Sequence, residues 1–226
     1  MNTLLSLLHI ADSSYPTGAF GHSWGLESAI SLGWVGSYTA LFDWASEALE
    51  YSLIPLDVAV IQRVQLFTLE NDLNKIIETD RELVLYRPSQ VLRESQAQVG
   101  RSMIDISADT FAKPLILEIK GLCQEMLWKD FIQFPAAWSV VCTELGISLE
   151  DNILSYLHAA VRQMAQVAIR LIPIGQKQAS QLIAKLSQSL ESMHPLTLKT
   201  EFMSVSPGMD MAGMYHESMK ARYFRS

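Results

Sequence analysis

No lysine or arginine precedes Arg63, while six carboxylates do: Asp12, Glu27, Asp43, Glu47, Glu50 and Asp57. A secretory leader needs a basic n-region and a transit peptide is rich in arginine, so neither is expected and a cytoplasmic location is. Cysteine is scarce. Cys123 and Cys142 stand far apart and fit no metal spacing, so buried free thiols are expected rather than a bridge. Charged residues make up only 18% against 49% apolar ones, a balance that folds into a globule instead of staying disordered. The net charge of −7 and pI near 5.2 speak against nucleic acid or an anionic membrane as main partner. Leu4 to Ala11 is too short to span a bilayer, and polar residues interrupt the other apolar runs before about 18 residues.

Strand alternation is also missing, as are the Asn-Gly and Asp-Gly hairpin dipeptides. What remains is helical spacing. Leu41, Trp44, Ala45, Ala48, Leu49 and Ser52 recur on one face, and Pro55 suits the first turn of a following helix with Val58, Gln62, Val64 and Leu69. Asn74 and Ser89 are expected to cap two more helices. Pro114 opens another, Phe134-Pro135 leads into one that stops at Gly146, and Ser148 with Asp151 resembles a capping box. That box starts the longest pattern, Ile153 to Leu171, broken by Pro173 and Gly175; a further helix carries Leu182, Ile183, Leu186 and Leu190. No internal repeat or linker divides the chain. The expectation is one all-α domain over 1–226, a bundle of roughly eight to ten helices.

Catalytic motifs are equally sparse. The glycines of Gly18-Ala19-Phe20-Gly21 lack the lysine of a phosphate loop, and no Gly-x-Ser-x-Gly elbow exists. The chain alone should not hydrolyse nucleotide, and no catalytic, cofactor or metal residue is assigned. The segment Asp12 to Glu27 is nonetheless dense in backbone-fixing residues, with Pro16, Gly18, Gly21 and Gly25, and in rings, with Tyr15, Phe20 and Trp24. Asp12, His22 and Glu27 are suitable ligands or acid–base groups. The plainer reading has Asp12 or Ser13 capping a turn, His22 bonding locally and Glu27 facing water.

Met203, Met209, Met211, Met214 and Met219 gather near the C-terminus with His216 and Glu217. Thioethers favour Cu(I), but they also make adaptable apolar contacts. A helix capped by Asp210, with Ala212, Tyr215, Met219 and Tyr223 on one face, reads as a packing or partner-binding helix. Arg93, Arg101, Arg170, Arg222 and Arg225 include candidates for a finger that stabilises charge on a partner's nucleotide.

Several motifs then occur in order. They are Pro16-Thr17-Gly18-Ala19-Phe20, Ser23-Trp24-Gly25-Leu26-Glu27, Arg93-Glu94-Ser95 with Gly100-Arg101, and Phe134-Pro135. Ala168-Ile169-Arg170-Leu171-Ile172-Pro173-Ile174-Gly175-Gln176 follows, and His216-Glu217 through Arg222-Tyr223-Phe224-Arg225-Ser226 closes the chain. Together they resemble the UreF family of urease accessory proteins. Tyr223, Ala136-Ala137-Trp138 and Gly21-His22 depart from the usual family residues.

The resemblance implies an all-α, non-enzymatic chaperone that forms a homodimer and joins the accessory protein UreD (UreH). It implies recruitment of the nickel-carrying GTPase UreG and delivery of nickel to apo-urease, the metal being handled by the complex without a tight site in this chain. Tyr215, His216, Glu217, Arg222, Phe224, Arg225 and Ser226 are assigned to partner docking on a mobile segment, 204–226. Arg170, Pro173, Gly175 and Gln176 form a rigid corner at a dimer or partner surface. Pro16, Gly18, Phe20, Gly25 and Glu27 belong to a loop that either shapes a surface or passage for metal delivery or holds the first helix to the core. Regulation of the partner GTPase through an arginine is the alternative function.

Overall fold

A computed structural model of the chain describes residues 2–125, 131–192, 202–203, 205–220 and 222–224, apart from the side chains of Phe20 and Ser192. In chain order the helices are α1 (Thr3–Ala11), α2 (Leu26–Ser31), α3 (Tyr38–Ala48), α4 (Ala59–Leu69), α5 (Leu73–Leu85) and α6 (Gln90–Phe111). There follow α7 (Pro114–Glu125), α8 (Phe134–Glu144), α9 (Leu149–Leu171), α10 (Gln176–Ser192) and α11 (Pro207–His216). A π-helical stretch, Leu49–Val58, joins α3 to α4 as one rod, so the described residues form ten separate α-helical pieces and no strand.

The local stop and start signals act as the sequence predicts at most boundaries. Ser89 Oγ accepts the Leu92 N–H at 3.3 Å and starts α6. Ser148 Oγ accepts the Asp151 N–H at 3.1 Å and donates to the Asp151 carboxylate at 2.7 Å, opening α9. Each such cap satisfies an N–H that the first helical turn leaves without a partner. Asp72, not Asn74, caps α5, accepting from Lys75 N at 3.1 Å.

Pro55 departs from its expected place. It lies inside the rod rather than at the start of a new helix. Proline has no N–H to offer the preceding turn, and the wider π winding accommodates that gap. The carbonyls of Tyr51 and Pro55 are reached instead by the backbone N–H groups of Val205, at 3.0 Å, and Met203, at 3.2 Å. The Val205 N–H thus serves the carbonyl four residues before the proline, to which Pro55 has no N–H to offer. Because the rod is continuous, Tyr38–Leu69 is long and apolar enough by composition to cross a membrane, but 61% of its apolar window is buried inside the protein.

Helix α8 is apolar nearly all round, and Pro135 to Cys142 are all buried, as expected for a helix at the centre of a bundle. It packs against α4, α6, α7 and α9. Ser139 Oγ donates to the Ile61 carbonyl at 2.8 Å and Trp138 Nε1 to the Asn152 carbonyl at 3.2 Å, pinning the helix register. Gly100 on α6 meets the chain entering α8 so closely that an added Cβ would lie 2.0 Å from Ile132 O. Arg101 beside it donates to Phe131 O at 2.8 Å. Cys142 is buried and Cys123 half-buried, both free; burial pushes the Cys123 thiol up to about 11.

One buried ionic group ties the rod to the rest. Asp57, in the π stretch, accepts hydrogen bonds from the Arg87 guanidinium and, at 2.6 Å, from the Tyr156 hydroxyl. All three side chains are buried. Burial raises the Tyr156 pKa well above that of an ordinary phenol, so the ring stays neutral and keeps donating. Removing Asp57 would leave the buried Arg87 guanidinium without its carboxylate. Asp57→Ala is therefore expected to lower unfolding free energy by about 3–5 kcal/mol in urea titrations, whereas a loss below about 1 kcal/mol would remove this group from any anchoring role.

Candidate partner-docking site

The two motif-rich ends of the chain meet. Both oxygens of Glu27, at the start of α2, accept backbone N–H groups from the C-terminal tail: Tyr223 at 2.6 Å and Phe224 at 3.1 Å. Glu27 is buried rather than facing water, and charge-assisted bonds to two N–H groups are what such a buried carboxylate requires. Next to it, Ser28 Oγ lies 3.3 Å from His216 Nδ1 and 3.4 Å from the Met219 sulfur. His216 is 1% exposed and Phe224 5%. The Arg170 guanidinium sits 5.7 Å from the Phe224 ring centroid, within range of a cation–π contact.

Helix α11 lies on α2 and α6 through small residues. Gly25 adopts φ +74°, and a Cβ there would sit 3.3 Å from Ala212 Cβ. Gly213 faces the start of α6, where a Cβ would come within 2.7 Å of the Leu92 side chain. The buried face of α11 is Met209, Ala212, Gly213 and His216, not the expected Ala212, Tyr215, Met219 and Tyr223. Ser206 occupies the N-cap position, with Pro207 at the first turn and Asp210 inside it. Asp210 is half-buried, and desolvation raises its carboxyl pKa against the opposing charge of Arg87.

Upstream, the Phe202 ring stands edge-on to Tyr86 at 5.7 Å, with the Arg63 guanidinium 4.1 Å over its face. The described residues of segment 204–226 lie against the π stretch, α6 and α2. Its outward residues include Tyr215, Glu217, Arg222 and Tyr223, together with Val205, Met211, Met214 and Lys220. Glu217 accepts from Ser89 Oγ at 3.4 Å, and Arg222 donates to the Glu217 and Met219 carbonyls. Arg225 and Ser226 lie outside the described residues.

The loop from Tyr15 to Glu27 is held by a residue that sequence reasoning missed. Gln163 of α9 accepts from Trp24 Nε1 at 3.2 Å and donates its amide N–H groups to the carbonyls of Ala19 and His22. Its signal was its register: Tyr156, Ala160 and Gln163 share one strip of α9 (i, i+4, i+7). Gly18 has φ +78°, which glycine adopts freely; Trp24 takes φ +56°, a strained position for a side-chain-bearing residue, and Gln163 holds its ring. Tyr15 OH is 2.9 Å from Ser107 Oγ, and His22 Nδ1 is 2.7 Å from Ser95 Oγ on α6, a distant partner rather than a local one. A cavity of about 340 Å³ lies under the loop, lined by Tyr15, Pro16, Gly18, Trp24, Trp138 and Tyr156 among others.

Asp12, His22 and Glu27 do not converge. Asp12 accepts from Ser14 N at 2.7 Å, His22 contacts Ser95, and Glu27 binds the tail. Among the described residues no group of three or more His, Cys, Asp or Glu side chains is placed to hold a metal ion. Nor do the methionines form a box: Met209 is buried while Met203, Met211 and Met214 are exposed. Of the candidate fingers, Arg93 donates to the Arg87 and Pro88 carbonyls and Arg101 to Phe131 O. Arg170, Pro173, Gly175 and Gln176 are exposed at the corner between α9 and α10, which Ile172 and Ile174 fasten to the core.

The UreF family profile matches residues 35–187. The chain belongs to the UreF family. Its similarity to whole UreF proteins extends through both ends, beyond the profile. It is 31% identical to the urease accessory protein UreF of Arthrobacter sp. (strain FB24), over 98% of this chain and 96% of that one. It is 29% identical to that of Corynebacterium glutamicum (strain R), over 97% and 96%. With that of Bacillus sp. (strain TB-90) it shares 28% identity over the full length of both.

Glu27→Gln tests the joint between the ends. The carboxamide leaves one tail N–H facing another N–H, a loss of about 1.5–3 kcal/mol for a bond to a charged group. Cleavage by trypsin after Lys220 and Arg222 is expected to accelerate about tenfold to a hundredfold while the core resists. An unchanged cleavage rate would mean that Glu27 does not hold the tail.

Proposed function

We propose that this UreF chain is a non-enzymatic chaperone of urease maturation. It docks on UreD (UreH) and recruits the GTPase UreG to the UreD–apo-urease complex, where nickel is inserted. Nickel is cargo of that assembly and needs no resident site here. The observation that carries the reading is the outer face of the docked tail. Met211, Met214 and Tyr215 share one exposed face of α11 (i, i+3, i+4), and Tyr223 is 85% exposed, with Glu217 and Arg222 exposed as well. Exposed Met and Tyr side chains with a charged rim fit a protein partner.

In this reading the assigned docking residues divide by position. His216 and Phe224 anchor the tail to its own body, and Tyr215, Glu217 and Arg222 meet the partner. The exposed corner of Arg170, Pro173, Gly175 and Gln176 serves a second copy of the chain or UreG. The clamped loop of Pro16, Gly18, Gly25 and Glu27 shapes the ground on which the tail rests.

The test is the double variant Met214→Asp, Tyr223→Asp, which alters exposed side chains and leaves the buried face of α11 intact. Size-exclusion co-purification with UreD and UreG is expected to lose the ternary complex, affinity falling at least about thirtyfold as for an interface hot spot. The circular dichroism and Tm of the chain alone should stay as in the parent. An undiminished ternary complex would contradict the proposal.

A further inference from the structure

A second surface, sharing no residue with the tail, lies along α1. Leu4, Leu5 and Leu8 are 62%, 57% and 59% exposed. Leu4, Leu8 and Ala11 stack along one edge of the helix (i, i+4, i+7). That edge borders a groove of about 430 Å³ between α1, α9 and α10. Its apolar walls are Leu7, Leu8, Ala11, Leu154, Ala159 and Leu190. Three leucines exposed on one short helix beside an apolar groove exceed the scattered surface leucine that needs no explanation.

The rim says what fits. Asp12, Asp151 and Glu191 line it and are all exposed. Hydrogen bonds from Ser14 hold the Asp12 carboxyl below the usual range, so it is ionised at neutral pH. Among the described lining residues Arg162 is the one full cation; it donates to the Ala11 carbonyl, and its charge offsets only one of the three carboxylates, so the lining stays net negative. His158 adds no charge at neutral pH, because burial, assisted by Arg162, lowers its pKa, and its Nδ1 sits 3.1 Å from Ser187 Oγ. The groove is therefore an apolar floor with an acidic edge.

We infer that this groove receives a basic amphipathic helix of a partner protein, whose apolar side chains fill the groove beside Leu4 and Leu8 and whose lysines or arginines meet Asp12, Asp151 and Glu191. Helix-in-groove recognition supplies the affinity, and charge complementarity the choice of partner. A second copy of this chain fits less well, since a two-fold contact would set the same acidic rim against itself. The inference goes beyond the docking role of the tail and stands independently of it.

The probe is a Leu/Lys amphipathic peptide of about 18 residues, long enough to hold a helix, with a Leu/Glu peptide as its counterpart. Fluorescence anisotropy with the full chain should show saturable binding of the Leu/Lys peptide and none of the other. Leu8→Asp adds negative charge, so association driven by charge alone would strengthen, whereas groove binding should weaken at least about tenfold, the effect of about 1.4 kcal/mol. Glu191→Lys should weaken it as well, with the apolar floor intact. Both side chains are exposed, and circular dichroism checks that the fold is kept. Absent binding, equal binding of both peptides, or tighter binding by Leu8→Asp would each overturn the inference. So would self-association in sedimentation that Leu8→Asp abolishes, because a second copy would then be the occupant.

Discussion

A buried carboxylate must find hydrogen-bond donors inside the protein, and Glu27 finds them at the far end of the chain. Its two oxygens take the N–H groups of Tyr223 and Phe224, 196 and 197 residues away. Left without them, the ionised group would face a desolvation cost of several kcal/mol. The neighbouring features follow from that joint. Gly25 must turn with positive φ and leave space for Ala212, and Gly213 must leave space for Leu92. Ser28 is then within reach of His216 and Met219. The density of backbone-fixing residues in the N-terminal loop has a physical reason: a helix lies across its end.

The tail serves the body in a second way. Pro55 interrupts the hydrogen bonding of the longest rod, and the N–H groups of Met203 and Val205 supply donors to that stretch. The same π segment carries Asp57, whose bonds to Arg87 and Tyr156 fasten the rod to the α5–α6 connection and to α9. A tail held at both places turns one face to the fold and leaves the other exposed. Under the proposed docking role, its ordering entropy would be met at folding rather than at association, and a partner would encounter a prearranged surface. A tail that ordered only on binding would lower affinity by the same amount.

Much of this was legible locally. Ser89, Ser148 and Pro114 mark helix starts, and Gly146 and Pro173 mark ends, because capping and φ restriction act within a few residues. The α9 pattern announced its buried face for the same reason. Pro55 misled because the donors that serve its π stretch come from residues 203 and 205, which no local rule can reach. Glu27 read as a solvent-facing carboxylate for the same cause. The Tyr215 face of α11 was mistaken because Gly213, invisible to a hydrophobic periodicity, sits at the closest approach. Gln163 was hidden by its type, since a glutamine on the flank of an apolar stripe looks like surface until three loop groups converge on it.

Hydrogen–deuterium exchange of the unmodified chain, alone in solution, tests the central claim most directly. If the tail is docked by its own body, the amides of residues 209–216 and those of Tyr223 and Phe224 exchange slowly, those of α11 approaching the α2 helix they pack on. Exchange across 205–224 at the rate of an unstructured peptide, with α9 still protected, would contradict it.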